Sequence, residues 1–249
     1  IVDVHVPHML ESEELYEACK NVVVIDHHRK LIGYIDDAAI FYHEPFASSA
    51  SEMVTELIQY FPSQTDLGKA ESEALLAGIT LDTKNFVMKT GVRTFEAAAY
   101  LRRFGADTVA VRSMFASSME SYRQKAAIVA RADVYLRCAI ADVEQEFDGV
   151  RIVASQAADD LMNIAGVDAS FVLYEQGNEV NVSARSMGRV NVQLIMESLG
   201  GGGHHTMAAA QFENETLPDI RDRVIDAINA YYETLPIEQR PQALTAAET

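Results

Sequence analysis

The chain contains 249 residues, of which 49% are hydrophobic, and it carries a formal net charge of −17 at pH 7. This length permits one large domain or two ordinary ones, and the hydrophobic share permits a sizeable core. The acidity excludes the broad basic surface with which proteins grip long nucleic acids, but it allows a small anionic substrate held by local positive groups and metal ions. The two cysteines, Cys19 and Cys138, are far apart, which excludes a disulfide framework and a thiolate metal site and favours a reducing compartment.

The chain opens with Ile-Val-Asp rather than Met, as if it were cut inside a strand. No apolar run approaches the ~20 residues that cross a bilayer. We therefore expect a fragment whose upstream part is missing, and any membrane anchor would belong to that part.

The first elements predict a β-α-β unit. Ile1–His8 is typical of a strand end followed by a polar turn, and Ser12–Lys20 of a helix with acids in its first turn. The next strand ends at Asp26, so Asp3 and Asp26 occupy equivalent strand ends, where two carboxylates can share a divalent cation. Taken alone, Asp3 is better explained as a turn acid or a helix N-cap.

The sequence NVVVIDHHRK, residues 21–30, is the feature around which the chain is organised. Its four apolar residues predict a short strand buried in a parallel sheet, and Asp26, His27 and His28 follow at the carboxyl end. Chemistry collects at that end in open α/β sheets, which favours a metal or phosphate site. The triplet alone also fits a turn-capping acid followed by two ordinary polar histidines.

Three further helices are predicted in this half. One runs from Ser49, with capping-box spacing to Glu52, to about residue 60, and another spans Thr94–Phe104 and is stopped by glycine. The third, Lys69–Leu81, delivers Asp82 at its end. An acid there faces the unfavourable end of the helix dipole, so a bound cation would favour it.

The second half is expected to be α+β. A mostly helical stretch, Asp107–Asp133, breaks near residues 116–118 and forms the connector. The predicted elements that follow are strands at Val134–Val143 and Val150–Ser155, a helix at Gln156–Ile164, and a hairpin of Ala169–Glu175 with Glu179–Ala184. The fold class is therefore α/β, a parallel-sheet domain followed by a smaller α+β domain with a mixed sheet. The expected boundaries are 1–115, 116–133 for the connector, 134–236, and 237–249 for a frayed tail.

A second polar group surrounds four consecutive glycines, residues 200–203. Glycine allows main-chain N–H groups to approach a phosphate, and the Ala-rich stretch after His204-His205 predicts a helix whose positive end would assist. Arg185, Ser186 and His204 supply side-chain donors. A flexible linker is the alternative, although its flanking residues disfavour it.

The motifs VVVIDHHRK and LGGGGHHTMAAAQ, in this order and separation, resemble the DHH phosphoesterase superfamily with a GGGH-containing associated domain. With IVDVHVP, EPFASSASEM, ALLAGITLDTKNF and SARSMGRVNVQLIMESLGGGGH, the chain looks most like the catalytic region of the GdpP-type cyclic di-AMP phosphodiesterases, which are membrane-anchored. The resemblance implies a cytoplasmic catalytic region that opens cyclic di-AMP to linear pApA with water activated between two Mn²⁺ ions.

The resemblance also implies the roles of individual residues. Asp3 would be shared between the two ions, and His27 and Asp82 would be ligands of one of them. Asp26 and His28 would support the site. The nucleotide-binding segment would comprise Arg185, Ser186, Gly201, Gly202, Gly203 and His204.

One departure from the family pattern limits these expectations. The family's first motif, a His followed closely by two Asp, belongs upstream of Asp3 and is absent from this sequence. We therefore expect weak or no activity from these residues alone. Two alternatives remain open: an exonuclease on short oligonucleotides, and a cyclic dinucleotide-binding module with an incomplete catalytic centre. A homodimer is possible, since the family commonly dimerises.

Overall fold

A computed structural model describes residues 1–61, 67–143, 145–236, 238, 240 and 241. The chain divides into two compact units, Ile1–Ala116 and Ser117–Thr249. The predicted frayed tail, 237–249, lies almost wholly outside the described residues. Among the helices that are described, none is both long and apolar enough to span a membrane.

The first unit is built on a short parallel sheet with helices. In chain order its elements are α1 (Glu13–Ala18), β1 (Val23–Asp26), β2 (Ile40–His43), α2 (Ala50–Ile58), α3 (Lys69–Asp82), α4 (Val92–Arg103) and α5 (Thr108–Met114), with a 3₁₀ turn at Pro7–Met9. Strands β1 and β2 pair in parallel, and Val2 adds a single parallel bridge on the other side of β1. The predicted parallel arrangement of the first half is thus confirmed, although the expected first strand is reduced to that bridge.

Local sequence signals explain the helix starts in this unit. The hydroxyl of Ser12 accepts a hydrogen bond from the N–H of Leu15 and caps α1. The hydroxyl of Ser49 accepts one from the N–H of Glu52 and caps α2. The Glu52 carboxylate accepts a hydrogen bond from Ser48 Oγ at 2.5 Å, rather than the bond from the Ser49 N–H that a capping box would have. A small core between α3, α4 and α5 is centred on buried Ile79 and Leu101.

The second unit carries a mixed sheet of six strands between two layers of helices. Its elements are α6 (Met119–Ala130), β3 (Asp133–Tyr135), β4 (Cys138–Val143), α7 (Val150–Leu161), β5 (Ala169–Gln176), β6 (Glu179–Ser186), α8 (Val192–Ser198), β7 (Gly202–His204), β8 (Met207–Glu213) and α9 (Leu217–Thr234). The strand order is β3-β4-β5-β6-β8-β7, and only β4 and β5 pair in parallel. This confirms the predicted mixed sheet and the hairpin of β5 with β6.

Each face of the sheet buries its own core. Residues of β4, β5, β6 and β8 pack with α8 and α9 around Phe171 and Ile228. The opposite face packs with α7 and α6 around Val172 and Leu161. Alternate residues of a strand point to opposite faces, so the neighbours Phe171 and Val172 belong to different cores.

Two predictions in this unit are wrong: one predicted strand is a helix, and one predicted helix is a strand. The β-branched stretch Val150–Ser155 was expected to be a strand but forms the first half of α7. Its buried residues recur at helical spacing, and they are Val150, Val153, Ala154, Ala157, Ala158 and Leu161. The Ala-rich stretch after the glycines was expected to start a helix but forms β8, in which Ala208, Ala210 and Phe212 alternate with exposed residues. In both segments the period of burial outweighed intrinsic propensity.

Candidate metal and nucleotide sites

The carboxyl end of β1 brings together several polar side chains of the first unit. Asp26 is the last residue of β1, and the parallel register pairs it with His43, the last residue of β2. On the other side, the N–H of Asp3 donates to the carbonyl of Ile25 at 2.9 Å. Asp3 has a φ of +67°, a conformation that Asp tolerates better than most residues, and its side chain is half-exposed.

Asp26 is fully buried and accepts several hydrogen bonds. Its Oδ1 accepts from the backbone N–H of His28 at 3.0 Å and from the ring Nδ1 of the same residue at 2.8 Å. Its Oδ2 accepts from Nδ1 of His5, which is also buried. A buried carboxylate is stable only when donors satisfy it, and both oxygens are satisfied here.

These hydrogen bonds determine how the buried acid ionises. Burial alone would raise the pKa of the Asp26 carboxyl, but the hydrogen bonds from His28 and His5 outweigh it and hold the pKa well below its usual value. The same hydrogen bond to Asp26 raises the pKa of His28, against the opposing effect of burial. Asp26 therefore serves as a fixed negative charge beneath the site.

His27 presents one free ring nitrogen to the neighbouring acids. Its Nδ1 lies 3.2 Å from the carbonyl oxygen of Ala47, and a carbonyl can only accept, so Nδ1 carries the hydrogen. The other ring nitrogen, Nε2, faces Asp3 Oδ1 at 3.3 Å and Asp82 Oδ2 at 3.7 Å. Imidazole ligands of metals are commonly oriented in this way, with the second nitrogen bound to a carbonyl.

The distances from His27 Nε2 to Asp3 and to Asp82 each fit a pair of ligand atoms on one divalent cation. Two ligand atoms each about 2.1 Å from one ion lie about 3.0–3.7 Å apart for bond angles between ~90° and ~125°. Among the described residues, the group whose ligand atoms all lie within 4.8 Å of one another is Asp3, His27 and His28, whereas Asp82 approaches it through His27. Nδ1 of His28 lies 3.7 Å from Asp3 but donates to Asp26, so only Nε2 of that ring is available to a ligand. The donor set, two carboxylates and an imidazole, suits Mn²⁺ among other first-row metals.

Asp82 reaches this group from the last residue of α3. Burial, and then the negative charge of Asp3, raise the pKa of the Asp82 carboxyl. A bound cation would relieve the unfavourable effect of Asp3 on the charge of Asp82. The turn after Asp82 winds around Thr83, whose hydroxyl donates to Ile79 O at 2.6 Å and accepts from the N–H of Phe86 at 2.9 Å.

Two histidines of the site were missed by sequence reasoning. His5 was placed only in the predicted strand end and turn at Ile1–His8, and His43 was given no role. Nε2 of His43 donates to the carbonyl oxygen of His28 at 2.6 Å. A sequence signal existed, because Ile40-Phe41-Tyr42 is a short β-favouring run that ends in His43, the pattern that also marks the end of β1.

In the second unit, Arg185 lies near the end of β6 and is anchored to α7. Its Nε donates to Asp159 Oδ1 at 3.2 Å, one terminal nitrogen donates to Ser155 Oγ, and the other donates to the carbonyl of Ala184 at 2.9 Å. A guanidinium has five N–H donors. These contacts hold the plane of the group while leaving donors for an anion.

Ser186 and the two histidines after the glycines have distinct positions. Ser186 is buried, and its hydroxyl donates to Val190 O at 2.6 Å and accepts from the N–H of Gly188 at 3.1 Å, so it shapes the loop after β6. His204 ends β7 and is exposed. His205, to which the sequence analysis gave no role, donates from Nε2 to Gly188 O at 2.9 Å and ties that loop to the glycine segment.

The structure requires glycine at three of the four positions, and for different reasons. Gly200 has a φ of +86° and follows α8, and the N–H groups of Gly200 and Gly201 bond the carbonyls of Glu197 and Met196, a Schellman motif. A Cβ on Gly201 would lie 2.2 Å from Ala209 O. A Cβ on Gly203 would lie 2.5 Å from the Cα of Ala208 in β8. A Cβ on Gly202 would meet nothing within 4 Å.

These contacts correct the reason proposed for the glycine run. A helix does not follow it, so the expected positive helix end is absent from this place in the fold. Gly200, Gly201 and Gly203 serve the end of α8 and the close approach to β8. At Gly202, by contrast, packing does not explain the glycine, because a side chain there would meet open space.

Comparison with known protein families finds one domain match in each half of the chain. The DHH family N-terminal domain matches residues 1–79, and the DHHA1 domain matches residues 134–231.

The chain carries a DHH domain and a DHHA1 domain.

Several relatives extend this similarity along nearly the whole chain. A cyclic-di-AMP phosphodiesterase PdeA of Listeria monocytogenes is 42% identical over 236 residues, covering 93% of this chain and 36% of the relative. A cyclic-di-AMP phosphodiesterase GdpP of Geobacillus thermodenitrificans is 44% identical over 235 residues, covering 94% and 36%. The chain thus spans about a third of the length of these relatives.

One solved structure supports the fold. An exopolyphosphatase-related protein from Bacteroides fragilis superposes with a TM-score of 0.81 at 21% identity, covering 92% of this chain and 70% of that protein. Within the chain, the range matched by the DHH domain contains Asp3, Asp26, His27 and His28, whereas Asp82 follows it by three residues. The range matched by the DHHA1 domain contains Arg185, Ser186 and the glycine segment.

Proposed function

We propose that the chain is the catalytic region of a metal-dependent phosphodiesterase that hydrolyses cyclic di-AMP to linear pApA, with Mn²⁺ as the metal. The observation that carries the proposal is the convergence of Asp3 and Asp82 on the free Nε2 of His27. The names of the relatives supply the substrate class, since both are cyclic-di-AMP phosphodiesterases.

The proposed ligands are Asp3, His27 and Asp82, and two ions would occupy the complete centre. When bound, the ions would supply Lewis acidity and lower the pKa of the attacking water. The residues of the chain contribute orientation. Asp26 holds the ring of His28, and the carbonyl of Ala47 holds the ring of His27 with Nε2 facing the acids.

We propose that the DHHA1 domain binds the nucleotide through Arg185 and the glycine segment. A guanidinium already fixed by Asp159 and Ser155 loses little further entropy when it binds a phosphate. Open main chain at Gly202 suits close approach by a ligand. Ser186 acts through the loop that it stabilises, and exposed His204 is available as a donor.

The test is a hydrolysis assay with Mn²⁺ on the chain and on a version extended by the residues that precede Ile1 in its gene. The substrates are cyclic di-AMP, linear pApA and a long single-stranded DNA. We expect the extended protein to open cyclic di-AMP fastest and to leave the long strand intact, because a net charge of −17 repels a polyanion. Faster turnover of short linear oligonucleotides would instead support the exonuclease function. Binding of cyclic di-AMP without any turnover would support a binding module.

A matched pair of variants links the assay to the site. Asp82→Ala in the extended protein should lower kcat about 100-fold or more while leaving the fold and the affinity for the nucleotide largely intact. Glu96→Ala, which removes an exposed acid from α4, is the control and should retain full activity. Normal turnover by Asp82→Ala would remove this residue from the mechanism.

A further inference from the structure

We propose that His5 is a positioning residue of the candidate metal centre, and that it acts through Asp26 and through the chain after the DHH triplet. The inference rests on the proposed function only in requiring that the centre binds a divalent metal. Neither the sequence motifs nor the matched domains assign a role to this residue.

The hydrogen bonds of His5 identify which ring nitrogen carries the hydrogen. The backbone N–H of Leu31 donates to Nε2 at 3.0 Å, so that nitrogen is an acceptor. The hydrogen therefore lies on Nδ1, which donates to Oδ2 of Asp26. His5 is thus a neutral imidazole that links the buried carboxylate to the main chain beyond the triplet.

The same residue joins the segments from which the centre is built. His5 lies two residues after Asp3, and its carbonyl accepts from the N–H of Ile35 at 2.9 Å. Its ring is 2% exposed and lies 5.8 Å from the ring of His43, which bonds the carbonyl of His28. Fixing His5 therefore fixes the position of Asp3 relative to the triplet.

The consequence for metal binding follows from Asp26. This carboxylate bonds the backbone and the ring of His28, the residue next to His27. Without the donor from His5, Oδ2 of Asp26 loses its partner while buried, and any shift of the carboxylate toward another donor disturbs its hydrogen bonds to His28. Hydrogen-bond partners of metal ligands typically contribute 10–100-fold in affinity, and His5, which acts on the ligands only through Asp26, is expected to contribute about as much as the lower end of that range.

Two variants separate the hydrogen bond from the volume of the ring. His5→Phe fills the space but supplies no donor, whereas His5→Asn retains an N–H that can reach Asp26. His8→Asn is the control, since His8 is an exposed histidine of the same segment. Mn²⁺ affinity is measured by calorimetry on the purified chain, and circular dichroism verifies the fold of each variant.

We expect His5→Phe to weaken Mn²⁺ binding about 10-fold, His5→Asn to recover most of that loss, and His8→Asn to bind like the unaltered chain. In the metal-free protein, nitrogen NMR should find His5 with its hydrogen on Nδ1, which tests the arrangement even if His5→Phe does not fold. Unchanged affinity in folded His5→Phe, an equal loss in His5→Asn, or a hydrogen on Nε2 would overturn the proposal.

The outcome is separable from that of the proposed function. Mn²⁺ binding that depends on His5, without hydrolysis of cyclic di-AMP by the extended protein, would count against the function alone. Hydrolysis with an affinity indifferent to His5 would count against the positioning role alone. Failure of both the unaltered chain and the extended protein to bind Mn²⁺ would overturn both.

Discussion

The DHH triplet and the glycine segment resemble each other in sequence, as short motifs ending in paired histidines, but they are held by different forces. Around the triplet, side chains satisfy one another, and the buried charge of Asp26 is central. Around the glycines, the absence of side chains allows β7 to approach β8. The comparison shows that a polar motif can be interpreted directly in terms of chemistry. A glycine in a motif must first be tested for a role in packing, and only a glycine without such a role is evidence for ligand binding.

The largest expected effect is on the buried charge of the first region. The carboxylate of Asp26 accepts hydrogen bonds from several N–H groups. In Asp26→Asn the amide NH₂ would face one of these donors, so that two donors would meet without an acceptor. We expect a loss of about 3–5 kcal/mol in the free energy of unfolding, measured by urea denaturation. Exposed Asp36→Asn serves as the control and should change stability by less than about 0.5 kcal/mol. A similar small change in both variants would show that the network does not support the fold.

A smaller effect should distinguish two adjacent glycines in the second region. A Cβ at residue 201 would overlap Ala209 O, so Gly201→Ala should cost about 1–3 kcal/mol of stability. Gly202→Ala should leave stability within about 1 kcal/mol and should instead weaken binding of cyclic di-AMP, measured by calorimetry. If Gly202→Ala destabilises as strongly as Gly201→Ala, packing rather than ligand access explains the whole run.

A pH dependence probes the charged support of the second region. Asp168 bonds Arg137 at 2.5 Å and Arg189, of the loop after β6, at 3.5 Å. The hydrogen bond from Arg137 lowers the pKa of the Asp168 carboxyl against a smaller effect of burial. Because the folded pKa is lowered, the stabilisation is present above the unfolded value of about 3.9 and is lost as pH falls through the folded value.

Asp168→Asn should therefore be less stable than the unaltered chain by about 1 kcal/mol near pH 7, and this difference should shrink as pH falls below about 4. Thermal unfolding over this pH range measures it. A difference that grows toward acid pH would contradict the assignment of the pair. The small size of this effect, compared with that of Asp26→Asn, reflects the solvent around Arg137.

The smallest perturbation is chemical labelling of the thiols, which tests the core beneath the second region. Cys138 on β4 is fully buried beside the hydroxyl of Tyr232, and burial raises the pKa of its thiol to about 12. Cys19 is exposed. A thiol reagent at pH 8 should therefore modify one cysteine of the native chain quickly and the second only after denaturant is added. Rapid modification of both would show that this core opens readily.

Sequence reasoning predicted the parallel and mixed sheets, the helix that delivers Asp82, and the hairpin of β5 with β6. It failed where local propensity and burial disagree: Val150–Ser155 has strand-forming residues at helical spacing, and Met207–Glu213 has helix-forming alanines in strand alternation. These errors were avoidable, because period carries more information than propensity.

The site was predictable only in part. Positions at element ends marked Asp3, the DHH triplet and Asp82 as candidates, the resemblance selected Asp3, His27 and Asp82 as the ligands, and the structure places both acids near His27. His5 and His43 were missed because their partners lie 21 and 15 residues away along the chain, a distance that no local pattern encodes. The reasons for Gly201 and Gly203 were also invisible, since they lie in the backbone of β8.

The measurement that tests the central claim most directly is anomalous diffraction at the manganese edge from crystals of the chain soaked in Mn²⁺. The account predicts a peak bonded to Nε2 of His27 and to carboxylate oxygens of Asp3 and Asp82, at about 2.0–2.4 Å. A crystal with no peak there, or with Mn²⁺ held by other residues while Nε2 of His27 stays free, would contradict it.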